Sequence, residues 1–273
     1  MTSDYITKKV FRKYLSISIA AMAAATIGMM VDGIVIGNFL GSASMAAFGI
    51  VSPLFILFSA VAGVFSNGSI SLCGKYIGRD QPGKVNEVFT IAVICAGAAA
   101  LICAAACLIF PETAAGFLGA EEILPLAAAY IRGLGAGALP IIISQVLMAF
   151  TKTDGSPRLG LYSIIVMTVI NITLDFCNVL FFHLGMFGMA MATSISYFAA
   201  VFICLIHFFK PVNSLRFVRV KNPFRELCTI GKTGFPNALN KICITARTAL
   251  TNHVLMLLTG DVALTAFSIQ NSL

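Results

Sequence analysis

Charge is what this sequence has least of. Asp, Glu, Lys and Arg make up 11% of its 273 residues, against ~25% in an ordinary soluble domain. A soluble chain of this length could bury a core, but it could not cover its surface with so few charges. Hydrophobic residues reach 59% and mean hydropathy is +0.95, so lipid is the expected surrounding for most of the chain. A CxxC pair is also missing. Most of Cys73, Cys95, Cys103, Cys107, Cys177, Cys204, Cys228 and Cys243 lie in apolar runs, where a free thiol acts as a small hydrophobe. Neither a metal centre nor a disulfide framework is expected. No HExxH, GxSxG or P-loop occurs, and no enzyme is expected. The first apolar run, at 23 residues, is too long for the core of a cleavable leader.

What is present is a series of long apolar runs. Seven approach or exceed the ~20 residues that a helix needs to cross the hydrocarbon core: 14–36, 46–73, 88–110, 123–150, 159–182, 187–209 and 234–258. An eighth starts near Val262. They are too continuous for the alternating strands of a membrane barrel. The expected fold is an all-α polytopic bundle. Residues 1–209 form a six-helix lobe, 210–233 a linker and 234–273 the start of a second lobe.

The net charge of +7 is placed in loops rather than on a nucleic-acid surface. Of 18 basic residues, 15 fall in the N-terminal tail and in the second, fourth and sixth loops, all on one side. The alternate loops carry Glu112, Glu121, Glu122, His183 and Asp261 and no Lys or Arg. The positive-inside rule then puts the N-terminus and the sixth loop in the cytoplasm of a cell-membrane protein. Lipid is the expected partner of these charges, and no nucleic acid is. Arg132, Lys241 and Arg247 lie inside runs. Arg132 and Lys241 can snorkel, whereas Arg247 is expected to face protein or water.

Residues 41–54 (GSASMAAFGIVSPL) and 260–273 (GDVALTAFSIQNSL) match at five of fourteen positions. The offset implies a six-helix unit repeated in parallel. The chain is therefore expected to be a fragment of a longer protein. It would either be inactive alone or pair with the missing lobe or a second copy.

Two acids lie within the spans, Asp32 and Asp175. An ionised carboxylate there costs at least ~2.5 kcal/mol, which makes each a functional candidate. Counted along their helices at 1.5 Å per residue, they stand ~27 and ~24 Å from the basic side, at matching heights. Asn171, Asp175 and Asn178 form one polar helix face, with Thr193 and Ser194 at similar depth. Such an oxygen-rich cluster suits a proton or a hard cation such as Na⁺, and two neighbouring carboxyls cannot both ionise cheaply. No other cofactor or metal is expected.

Five segments carry a family likeness: VDGIVIGNFLG (31–41), TDGSPRLG (153–160), NITLDFCNVL (171–180), GMFGMAMATSIS (185–196) and GKTGFPNAL (231–239). In order and spacing the chain resembles the multidrug and toxic compound extrusion family. That resemblance implies a twelve-helix antiporter of two lobes that exports organic cations and drugs in exchange for H⁺ or Na⁺. It implies a cation cluster of Asp32, Asn171, Asp175 and Thr193. One departure is the first helix, which has Ser16–Ile17–Ser18 where the family usually has a proline. The flippases of lipid-linked precursors, an alternative of the same architecture, would need several basic residues in the cavity, and only Arg132 and Arg247 could serve.

Overall fold

The computed structural model describes residues 3–120 and 122–259. The eighth run and the second copy of the repeat lie outside the described residues. The elements are α1 (Ser3–Val35), α2 (Ser42–Ile77), α3 (Pro82–Ile109), the short α4 (Pro111–Phe117), α5 (Leu124–Thr153), α6 (Pro157–Cys177), α7 (Gly185–Leu205) and α8 (Pro223–Thr259). Proline opens or nearly opens α3, α4, α5 and α6. Its missing N–H costs nothing there, because the first turn has no acceptor to offer. Within α2, α5 and α8, Pro53, Pro140 and Pro236 are accommodated without ending the helix, as neighbouring helices in a bundle allow.

Six helices are long and apolar enough to cross a membrane. The distribution of polarity agrees with lipid as the solvent. Ile102 and Phe202 are 71% and 68% exposed on the outside, while Ser144 and Asp175 are fully buried inside. The protein is a multi-pass membrane protein. Its basic side holds the start of α1 and the loops of Arg79, Lys84 and Arg158; its acidic side holds Glu112. The seventh run lies in α8, which already begins at Pro223, so residues 223–233 are helical rather than part of an open linker.

α5 is the central helix, packed on α2, α3, α6 and α7. Its glycines explain how. A Cβ on Gly133 would stand 2.5 Å from that of Ala190, and one on Gly137 would stand 2.0 Å from Ser194 Oγ, both on α7. A Cβ on Gly135 would meet Cys107 on α3 at 2.8 Å. The three glycines thus let α5 lie against two neighbours at once, which is a packing role. On the acidic side Arg132 of α5 pairs with Glu112 of α4, so its charge is neutralised beside the bundle rather than in it.

The segment from Lys210 to Lys221 begins with a turn, Asn213 N donating to Lys210 O (3.0 Å), and continues without regular structure along the basic side. Arg216 N donates to Asn86 Oδ1 (2.9 Å) and Val218 N to Thr90 Oγ1 (3.0 Å), both on α3. Ser214 N donates to Asp154 Oδ2 (2.9 Å), which His207 Nε2 also meets at 2.7 Å. Asn86, Thr90 and Asp154 therefore fix the path by which the chain reaches α8.

Candidate functional site

The site is built where α1 and α6 run side by side. A Cβ on Gly28 would lie 3.3 Å from Thr168 Cγ2, and Thr168 Oγ1 donates to Ala24 O (3.3 Å). Glycine at this point lets the two helices approach. One turn further along α1 comes Asp32, and one to two turns further along α6 come Asn171 and Asp175. The helices run in the same direction, so the offsets match and the polar residues meet.

Asp32 and Asp175 come close enough for a hydrogen bond between their carboxyl groups. Asn171 Nδ2 donates to Asp175 Oδ2 (3.3 Å). Asp175 is fully buried and Asn171 nearly so, while Asp32 is half-buried. One oxygen of each carboxyl group, Oδ1 of Asp32 and Oδ1 of Asp175, is buried without a hydrogen-bond partner among the described residues. Two carboxyls at this range in an apolar setting repel if both are ionised, and a proton or small cation between them offsets that repulsion. Their oxygens, with the side-chain oxygen of Asn171, form the donor set that such a guest requires.

Just past each acid the helix widens into a π-turn, Ile36–Leu40 after α1 and Asn178–Phe182 after α6. Turns of this kind recur at functional sites. The rings of Phe39 and Phe176, 6.4 Å apart edge to face, join the two helix ends.

Asp32 also opens onto a cavity of about 260 Å³ on the acidic side of the bundle. Its walls are Met29 of α1, Phe48, Ser52 and Phe55 of α2, Tyr130 of α5, Thr193 of α7 and Arg247 of α8. Thr193 thus shares a wall with Asp32, and its hydroxyl donates to Met189 O (3.3 Å). Tyr130 is near enough to both acids to feel their charges. Tyr130, Phe48 and Phe55 were not singled out in the sequence because an aromatic residue inside an apolar run looks like any other core residue.

Asn178 and Ser194 have other work. Asn178 Nδ2 donates to Gly185 O (3.0 Å) and its Oδ1 accepts from Leu184 N (3.1 Å), closing the turn into α7. Ser194 Oγ donates to Gly133 O (2.8 Å), holding α7 to α5. Neither belongs to the cavity wall. Lys241 Nζ donates to Ser59 O on α2 (3.1 Å). With Arg132 paired to Glu112 outside, Arg247 is the one basic side chain among the described residues lining the cavity, a poor match to a pyrophosphate-binding flippase. No cluster of three metal-ligating His, Cys, Asp or Glu side chains occurs among the described residues.

Comparison with known proteins is consistent across three levels. Residues 18–177 match the family model MatE. The multidrug export protein MepA of Staphylococcus aureus is 25% identical over 268 residues, which are 96% of this chain and 59% of that protein. MepA of Staphylococcus saprophyticus is also 25% identical, over 270 residues. This chain thus spans about six-tenths of the length of the curated relatives it matches. Among solved structures, the MATE multidrug transporter DinF-BH superposes with a TM-score of 0.87 at 19% identity, over 95% of this chain and 59% of that one. An inward-facing MATE family transporter superposes with 0.83 at 22% identity, over 92% and 60%.

Proposed function

The chain belongs to the MatE family, and from that membership we propose that it supplies the first lobe and the first helix of the second lobe of a drug exporter. The exporter works by antiport: organic cations leave the cell in exchange for H⁺ or Na⁺. The coupling cation binds at Asp32, Asn171 and Asp175, with Thr193 beside them. The observation that carries this reading is the approach of the half-buried Asp32 carboxyl on α1 to the fully buried Asp175 carboxyl on α6, each with one buried, unpartnered oxygen among the described residues. The names of the MepA relatives support export as the direction.

The basic side faces the cytoplasm of the cell membrane, in keeping with the loop charges. The cavity then opens toward the outer half. A cation can drive a cycle only if it binds the two states unequally. Asp32 links the two events, since it touches the Asp175 carboxyl on one side and the cavity on the other. A bound cation neutralises Asp32 and weakens its hold on a positively charged guest; loss of the cation restores that hold.

Replacing Asp175 by Asn keeps the shape of the side chain and removes its charge. Asp175→Asn is expected to abolish efflux driven by an ion gradient while expression stays intact. Measuring drug efflux from vesicles under separate H⁺ and Na⁺ gradients tests this, and full coupled efflux in the variant would overturn the proposal. For orientation, a cysteine at Phe117, which is 92% exposed on the acidic side, should react with an impermeant maleimide from outside the cell, and one at Arg79 should not.

A further inference from the structure

The segment that joins α7 to α8 combines charge and exposed apolar surface in a way that a loop in water does not favour. From Lys210 to Arg225 it holds five cations, Lys210, Arg216, Arg219, Lys221 and Arg225, and no acid. Among the described residues none of the five is in a salt bridge. Between them stand large apolar side chains, Phe217 and Phe224, at 62% and 78% exposure. The backbone, by contrast, is pinned. The N–H groups of Ser214, Arg216 and Val218 donate to Asp154, Asn86 and Thr90, and the Phe217 ring lies 4.9 Å from the buried ring of Phe89. The cations thus project from an ordered backbone, and a partner that meets them has little more chain to immobilise.

The position of the segment is set by α3. Asn86, Thr90, Ile94 and Ala98 follow at four-residue spacing on one face of that helix. The segment bonds to the first two. Ile94 and Ala98 are exposed, as are Leu101 and Ile102 further on, so this face is turned to the acyl chains. Thr90 and Ile94 are only ~6 Å apart along the axis, and the apolar run of α3 begins at Val88. The segment therefore crosses the lipid-facing side of the bundle at the edge of the hydrocarbon, which is the level of the lipid headgroups. There each Lys or Arg is drawn to an anionic surface, arginine forks pair with phosphate oxygens, and apolar rings enter the boundary between headgroup and chain. We propose that residues 210–225 form a docking surface for anionic phospholipids of the adjoining leaflet, with Arg216, Arg219 and Lys221 on the phosphate groups and Phe217 and Phe224 among the upper acyl carbons.

The test uses Phe217→Trp as a reporter in the full chain, whose emission stands alone because the chain has no tryptophan. The protein is placed in nanodiscs of equimolar phosphatidylglycerol and phosphatidylcholine, with bromine on the chains of one lipid or the other. Bromine near the headgroup should quench the reporter more than bromine near the chain end. Brominated phosphatidylglycerol should associate about threefold or more above brominated phosphatidylcholine. Adding Arg216→Gln, Arg219→Gln and Lys221→Gln together should bring that ratio to about one, with the same helix content by circular dichroism. A second reporter, Phe224→Trp, should give the same order, whereas Ile102→Trp on the lipid-facing side of α3 should be quenched alike by both lipids. Absence of quenching at both Phe217→Trp and Phe224→Trp would place the segment in water and overturn the proposal. Equal quenching by the two lipids before the cations are removed would also overturn it. Loss of the preference on adding inorganic phosphate at constant ionic strength would overturn it in favour of a site for free anions.

Discussion

The two halves of the seam between α2 and α8 are built on opposite principles. Toward the basic side the backbones touch. A Cβ on Gly68 would stand 2.3 Å from Ile230 O, and one on Gly234 2.1 Å from Val64 O. Toward the acidic side the same two helices are held apart by Phe48, Ser52 and Phe55 facing Ile244, Arg247 and Thr248 around the cavity. Lys241 marks the change, reaching across to Ser59 O near the middle of α2. Glycine gives a dry contact with no room for a guest, whereas large and polar side chains keep a space that a guest can enter. One pair of helices thereby packs closed at one end and borders a cavity at the other.

The largest test of this contrast is Gly234→Leu. Its side chain would begin at 2.1 Å from a carbonyl oxygen, where ordinary contact is ~3.5 Å, so the helices must part. Transport is expected to be lost. Amide hydrogen exchange should rise in 60–70 and 228–236, and unchanged exchange there would break the comparison. Asp154→Ala acts on the linker that steers α8 into the seam. It removes the contacts to His207 and Ser214, worth ~2–4 kcal/mol together for a largely buried acceptor. A fall of several degrees in the unfolding midpoint, with faster exchange confined to 210–221, is expected. Lys84→Gln has the smallest effect. Lys84 reaches Glu226 of α8 at 3.5 Å and Glu87 at 2.8 Å from a side chain that is itself 41% exposed; glutamine can still donate to the buried Glu226 carboxylate, so the loss should be about 1 kcal/mol and shrink in high salt. A large loss there would show that charge, rather than glycine contact, closes the basic side.

Much of the fold is legible along the chain because solvation by lipid is a local property. The third run, 88–110, lies almost wholly in α3 (Pro82–Ile109), and the helix simply starts earlier. Its first turns leave the hydrocarbon, where composition no longer signals the helix but hydrogen bonding continues. The same reason hides the start of α8 at Pro223. Short α4 and the two π-turns have no apolar length to reveal them. In the site, Asp32 and Asp175 stand out in the sequence because an acid in an apolar run is costly. Asn178 and Ser194 share their depth yet bind backbone groups of the α6–α7 turn and of α5. Depth alone does not distinguish a polar group that serves a helix contact from one that faces a cavity.

By itself the sequence determined the number and alternation of the first six spans, the sidedness of charge and the two acids worth attention. Each of these follows from the cost of placing a given residue in hydrocarbon, which depends on the residue and its neighbours in the chain. Only the tertiary structure decided that Asp32 meets Asp175 and that Arg247 shares a cavity with Asp32. Those outcomes depend on how each helix is rotated about its axis, and that rotation is set by contacts such as Gly28 on Thr168 and Gly234 on Val64, between residues far apart in the chain.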